Sequence, residues 1–344
     1  MNTVNQKIIR AVIDKANKIC PDSLALIGVY GSAGTEDEYE RSDLDLLILI
    51  ENDEGWKLGT GFILDDRKIG YDIYCTDRSG LRYDAECRHA RLNKLMDSRI
   101  VYVKNRDAYD ELMALRTRTE RILSSEERIE RACEAVDKAK TAFANACLRE
   151  ELGRVRFEAY GVITYLADAL MLYHGQYFKR GVKRTLEELA ALPIDDAFVI
   201  SIQKAIACKD VARLRDSLKQ LILYAESHVQ SEQPKANPSA SLAGTYEEMY
   251  SNWRNKVEEA AKNADAFSSF MNMCGLQAML SDIAEETEIG LFPVMDEYDP
   301  DSLEANAAVF DKYLQKYERV YTHAGISVKR YSDIDEFVSD YLRQ

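Results

Sequence analysis

The first strong pattern in the chain is helical. Val4, Ile8, Val12, Ala16 and Ile19 recur three to four residues apart, and Pro21 ends the run, which predicts an amphipathic helix from about Val4 to Ile19. The pattern then changes to strands. Leu26-Ile-Gly-Val-Tyr30 is a continuous apolar run that ends at Gly31-Ser32, and Asp43-Leu-Asp45 opens a second apolar run reaching Ile50. Gly61–Asp65 and Lys68–Cys75 read as two further strands joined by the turn-prone Asp65-Asp66-Arg67. Tyr83–Met96 has helical character, Arg99–Val103 is a short strand, and Ala108–Leu115 is a helix.

From Ser124 onward the alternating pattern disappears, apart from a short strand signal at Ile326-Ser-Val328. Ser124-Ser-Glu-Glu127 predicts a capping box, followed by a helix with Ile129, Cys133, Val136, Phe143 and Cys147 on one stripe. The next segment, Val155–Tyr173, is apolar nearly all round, as the central member of a bundle should be. Helices ending at Leu192, over Asp195–Cys208 and over Val211–Val229 complete a bundle of about five. Gln233–Ser241 has the prolines and small polar residues of a linker. Two helices are expected in Tyr246–Glu285, one in Leu303–Thr322 and a short one in Ile334–Leu342. The predicted organisation is therefore an α+β domain (a mixed sheet flanked by helices) over 1–118, an all-α bundle over 119–232, a linker at 233–243 and a helical C-terminal extension over 244–344.

Charge narrows the partners. Lys plus Arg number 45 against 59 Asp plus Glu, a formal net charge of −14, which argues against an extended nucleic-acid-binding surface. The seven cysteines form no C-x-x-C pair and the N-terminal residues lack an apolar signal core, so a reduced, cytoplasmic setting is expected. No apolar run approaches the ~20 residues of a membrane span, so no membrane partner is expected. The four histidines have no zinc-ligand spacing.

The chemistry concentrates at the second strand. Residues two apart in a strand point the same way, so Asp43 and Asp45 project together, with Leu44 turned inward, as a site for a hard divalent cation. Asp72 sits mid-strand among apolar neighbours, where an unpaired charge is costly, and a third carboxylate beside that pair would explain it. A surface salt bridge would explain it too.

A glycine-serine turn, then ten residues ending in Ser42, then Asp43-Leu-Asp45-Leu resembles the motif of the polymerase-β-type nucleotidyltransferase superfamily. The helical bundle behind it resembles in outline the antibiotic nucleotidyltransferases that act on kanamycin, other aminoglycosides and lincosamides. The resemblance implies that Gly31 and Ser32, with Ser42 beside them, hold the triphosphate of ATP or another nucleoside triphosphate. It implies that Asp43 and Asp45 bind Mg²⁺, with Asp72 as the third acidic position. A nucleoside monophosphate, most simply AMP, would pass to a hydroxyl of a small molecule, releasing pyrophosphate. The resemblance also implies a general base in the helical part, for which Glu158 is the candidate, with Asp72 and Glu86 as alternatives, and a homodimer in which subunits complete each other's pockets.

Around this core lie Lys179, Arg180, Lys183 and Arg184, a basic run that stands out in an acidic chain and reads either as a solvated helix entrance or as a triphosphate clamp led by Lys183. Tyr160 and Tyr165 are candidates for lining an acceptor pocket. The loop Glu36, Asp37, Glu38, Glu40 would favour a cationic acceptor. Two other classes fit the same motifs: a protein-modifying or toxin-antitoxin-type nucleotidyltransferase, and a catalytically silent nucleotide-binding module.

Overall fold

The structure is a computed structural model, and it describes residues 3–33, 35, 42–66, 68–230, 242–287 and 289–343. The chain falls into two compact units, Met1–Ser231 and Glu232–Gln344.

The first unit opens with helix α1, Thr3–Ile19, which buries Ile8, Ile9, Val12 and Ala16 along one stripe. The strands β1 (Leu24–Tyr30), β2 (Asp45–Ile50), β5 (Cys75–Thr76) and β6 (Arg99–Val103) form one sheet in the order β5-β2-β1-β6. β5 runs parallel to β2 and the other pairings are antiparallel, so the sheet is mixed. Its two faces can be read from the parity of β2. Leu46, Ile48 and Ile50 join the α1 stripe in one core, while Leu47 and Leu49 pack on the other face. That second face is covered by α2 (Arg78–Ala85) and α4 (Arg106–Ser124), through Leu81, Ala108 and Leu112. The sheet is thus covered on both sides, which is why its central strands are apolar nearly throughout. Strands β3 (Thr60–Leu64) and β4 (Ile69–Ile73) form a separate two-stranded ribbon.

α4 is much longer than the Ala108–Leu115 expected. Asn105 caps it, its side chain accepting from the N–H groups of Asp107 and Ala108. The helix then runs past residue 118, the expected domain boundary, so that its first half packs on the sheet and Ile122 and Leu123 join the bundle core. This continuity removes the expected capping box. Ser124 lies inside α4, its Oγ donating to the carbonyl of Glu120 at 2.8 Å, and α5 (Glu127–Cys147) starts without a side-chain cap.

α5 presents an alanine face, with Ala132, Ala135, Ala139, Ala142 and Ala146 all buried. Such small residues let α6 (Leu152–Tyr173) approach closely, and a Cβ at Gly161 of α6 would already stand 3.3 Å from the Ala142 Cβ. α7 (Thr185–Ala190), α8 (Asp196–Ala207) and α9 (Val211–His228) complete the bundle. Tyr83–Met96 resolves into α2 and a single turn, α3 (Asn93–Met96), rather than one helix.

The second unit is helical among its described residues. The helix Thr245–Met249 continues through a π-helical turn, Tyr250–Arg254, into Asn255–Lys262. The helices Ala266–Glu286 and Leu303–His323 pack with it around a core that includes Met249, Met273, Leu276, Phe310 and Tyr317. The helix Ile334–Tyr341 buries none of its residues. The strand expected at Ile326–Val328 is absent; those residues have no regular structure. Of the expected linker 233–243, residues 233–241 lie outside the described residues, as does the acidic loop at Glu36, Asp37, Glu38 and Glu40. Among the described residues no helix is long and apolar enough to cross a membrane.

Candidate active site

The site begins where β1 leaves the sheet. Tyr30, its last residue, is paired directly with Asp45, the first residue of β2. Gly31 follows with φ of +72°, in the left-handed region. A Cβ built there would run into the Asp45 carboxyl group, 2.7 Å from its Cγ. Glycine is therefore required twice at this position, for its backbone angle and for the close approach of a carboxylate. The turn is closed by Thr35, whose N–H and Oγ both donate to the Ser32 carbonyl at 3.0 and 2.8 Å.

Asp45 is half-buried, and its carboxyl is pushed up to about 6, first by burial and then by the charge of Asp43. The same two charges, with Asp84, reinforce burial in raising the Tyr30 phenol to about 12. Two carboxylates this close, one of them raised by the charge of the other, form a donor set whose charge a divalent cation would neutralise. Mg²⁺ binds through one or two carboxylates plus substrate phosphates, and Asp43 with Asp45 fit that pattern. Leu44 between them is buried, as the alternation requires.

Gly31, Ser32, Asp43 and Asp45 line one cavity of about 750 Å³. Its other walls carry Asn93, Asp97 and Arg99, then the run Lys179 to Arg184. Among the described residues, the cationic side chains of Arg99, Lys179, Arg180, Lys183 and Arg184 therefore line the cavity that the acidic pair also lines. The basic run is held by Glu188 of α7, whose carboxylate accepts the backbone N–H groups of Lys179 and Arg180 at 2.8 and 3.0 Å. A hydrogen bond from the Tyr177 Oη to Asp97 at 2.7 Å anchors the start of the run to the α3 side, and the Lys179 ammonium lies 5.8 Å from the Tyr177 ring centroid.

The structure brings together Gly31, Ser32, Asp43, Asp45 and Lys183, and leaves other expected site residues elsewhere. Ser42 precedes Asp43 but does not line the cavity. Asp72 is exposed on the β4 face opposite Tyr71 and Ile73, where it accepts from the Tyr74 hydroxyl. It does not line the cavity, and among the described residues no three His, Cys, Asp or Glu side chains form a metal-binding group. Its mid-strand charge is explained by solvent, because the ribbon buries only its alternate face. Glu158 sits near the start of α6, 3.8 Å from the Arg149 guanidinium, and does not line this cavity. Glu86 pairs with Arg118 at 2.7 Å, which holds its carboxyl below the usual range.

Sequence reasoning missed Arg99 and Asp97. Arg99 opens β6 and Asp97 follows α3 just before it, and only the pairing of Val29 with Arg99 across β1 and β6 shows that this strand end adjoins the glycine turn.

No protein-family model matches the chain, and no curated protein matches it by sequence. Among solved structures it is similar to a nucleotidyltransferase-like protein from Exiguobacterium sibiricum 255-15, at 15% identity and a TM-score of 0.38, over 72% of this chain and 80% of that one.

Proposed function

We propose that the Met1–Ser231 unit is a nucleotidyltransferase that moves a nucleoside monophosphate, most simply AMP from ATP, onto a hydroxyl of a small molecule. The observation that carries this reading is the cavity in which a left-handed glycine turn, two adjacent carboxylates and five cations face a shared space. Such a space suits a triphosphate: cations and turn amides hold its oxygens, and the acidic pair holds the metal that must accompany it.

In the proposed reaction the acceptor oxygen forms a bond to the α-phosphorus while the bond from that phosphorus to the pyrophosphate oxygen breaks. Asp43 and Asp45 would hold Mg²⁺, which when bound neutralises charge on the phosphoryl oxygens. Lys179, Arg180, Lys183 and Arg184 take up the charge of the departing pyrophosphate. Asp97, the carboxylate of the cavity not committed to metal, receives the hydroxyl proton and passes it to solvent. It replaces Glu158 in that role because Glu158 lines no part of the cavity.

The test is calorimetric titration of the full chain with ATP, with and without Mg²⁺, beside transfer of label from α-labelled ATP to a panel of hydroxyl compounds. Mg²⁺-dependent binding that is lost in Asp43→Asn, together with pyrophosphate release, is expected. Absence of Mg²⁺-dependent binding of any nucleoside triphosphate overturns the reading.

A further inference from the structure

A second cavity, of about 640 Å³, lies in the same unit between α6, α8 and the segment that leads into α7. Its volume is in the range of small-molecule pockets. Its walls are mostly aliphatic: Ala159, Ile163 and Ala167 of α6 face Ile202, Ala205 and Ile206 of α8. Val182 lines this cavity and the phosphate-type cavity alike, so the two adjoin across a single residue. The segment after Lys179 thus has two sides, with basic side chains on one and Val182, Thr185 and Leu186 on the other.

The polar groups of the second cavity are the hydroxyls of Tyr160, Thr164 and Thr185 and two guanidiniums, and the two charges stand toward its ends. Arg156 and Ala167 both line it, eleven residues apart on α6, which at ~1.5 Å rise per residue makes the wall about 16 Å long. Arg156 marks one end. Arg91, which also lines the cavity, stacks over the Phe178 ring at 5.3 Å, next to Lys179 of the phosphate-type cavity, and so marks the end nearest the proposed chemistry. Neither guanidinium makes an ion pair among the described residues; Arg156 donates only to the Cys208 carbonyl, at 2.9 Å. The carboxyl of Asp168, buried one residue beyond Ala167, is raised by burial, and the charge of Arg91 works against that rise. Among the described residues no Asp or Glu lines the cavity. Thr185 Oγ1 is buried there without a hydrogen-bond partner, a state that disfavours the empty cavity until something donates or accepts.

We infer that this cavity is the acceptor site, and that the acceptor is an elongated apolar molecule with an anionic group at the Arg156 end and its reacting hydroxyl at the Val182 end. The inference rests on the nucleotidyltransferase reading for its reaction and on the cavity alone for its ligand. A polycation of the aminoglycoside kind meets the wrong charge: two arginines and no carboxylate. An apolar body about 16 Å long fills the aliphatic walls, and Thr185 offers its hydroxyl to the reacting end. The bonds formed and broken are those given above, with the acceptor hydroxyl supplying the oxygen and Asp97 taking its proton.

The test uses dansylaminoundecanoic acid, an elongated fluorescent carboxylate, and its methyl ester as the uncharged counterpart, titrated into the full chain. The acid should bind about tenfold or more tightly than the ester, and Arg156→Gln should weaken the acid about tenfold while leaving the ester unchanged, as expected for one charge-assisted contact. Ile163→Trp, which fills the cavity, should abolish binding of both, with circular dichroism reporting the fold; if that variant does not fold, Arg156→Gln still decides. Asp43→Asn should leave probe binding unaltered, which separates this cavity from the nucleotide site. Equal affinity for acid and ester, or no effect of Arg156→Gln, overturns the ligand class. In the reaction arm, label should pass from α-labelled ATP to hydroxydodecanoic acid and not to kanamycin, and the reverse order overturns the proposal. Failure of Mg²⁺·ATP to bind at all would instead fell the nucleotidyltransferase reading, with the probe titration still deciding what the cavity takes.

Discussion

The two cavities of the first unit are separated by one segment and built on opposite principles. Among the described residues, the cavity at the glycine turn sets the carboxylates of Asp43, Asp45 and Asp97 against five cations, with Glu188 holding the backbone at Lys179 and Arg180. The cavity along α6 is mostly aliphatic, with an arginine toward each end, the hydroxyls of Tyr160 and Thr164 along the α6 wall, and the unpartnered Thr185 hydroxyl. Charge is costly to bury and must be matched group by group, whereas apolar area is indifferent to detail. The first cavity therefore suits a ligand common to a whole class of enzymes, and the second suits selection by size and by the sign of one charge.

The largest expected effect is on the charged side. Asp43→Asn or Asp45→Asn should lower turnover by about a thousandfold or more, as removing groups that stabilise transition-state charge commonly does, measured as pyrophosphate release. A residual rate within tenfold of the wild type would mean that the two cavities do not differ in the way described. Next comes Gly31→Ala. The new Cβ meets the Asp45 carboxyl and is forced into a left-handed backbone, so a loss of about 1–3 kcal/mol in stability and weaker nucleotide binding are expected from denaturation and calorimetry. An alanine variant as stable as wild type would show that the turn is not constrained by the carboxylate.

Glu188→Gln should raise the KM for ATP by about tenfold with kcat little changed, because it loosens the backbone of the basic run and touches no reacting atom. A fall in kcat alone would refute that positioning role. The pH dependence is smaller. The Asp45 carboxyl is raised from 3.8 to about 6 in the folded chain, so its contribution to stability is full below about 3.8 and is lost as pH rises through about 6. In EDTA, Asp45→Asn should therefore match wild type near pH 4 and exceed it above pH 6 by about 2–4 °C in Tm, a figure kept small because the carboxylate is only half-buried. The opposite sign would mean that Asp45 has a stabilising partner. Last, Thr185→Val on the apolar side should change stability by less than about 1 kcal/mol and in the stabilising direction, whereas a loss greater than that would reveal a partner for the hydroxyl.

Much of this architecture was legible in the pattern of side chains. The parity of Leu46 to Ile50 fixes which residues meet α1 and which meet α4, because a strand turns alternate side chains to opposite faces. The same parity misleads at Asp72. Alternation says only that a face exists, not what covers it, and the ribbon leaves that face to solvent. Glu158 was the candidate for the general base that the resemblance implies in the helical part, yet its side chain lies beside the Arg149 guanidinium. The expected cap at Ser124 was a local signal overridden by the continuation of α4 from its cap at Asn105.

By itself the sequence determined the local events: where helices and strands run, that Gly31 must follow the first strand, and that Asp43 and Asp45 share a side. These depend on backbone angles and on spacings of two or of three to four residues, which neighbours in the chain settle among themselves. Tertiary structure alone decided which distant segments meet. It brought Asp97, Arg99 and the run at Lys179 to the glycine turn, and left Asp72 and Glu158 away from it. It also opened an aliphatic cavity behind Val182, because the space between packed helices depends on how all of them fit at once.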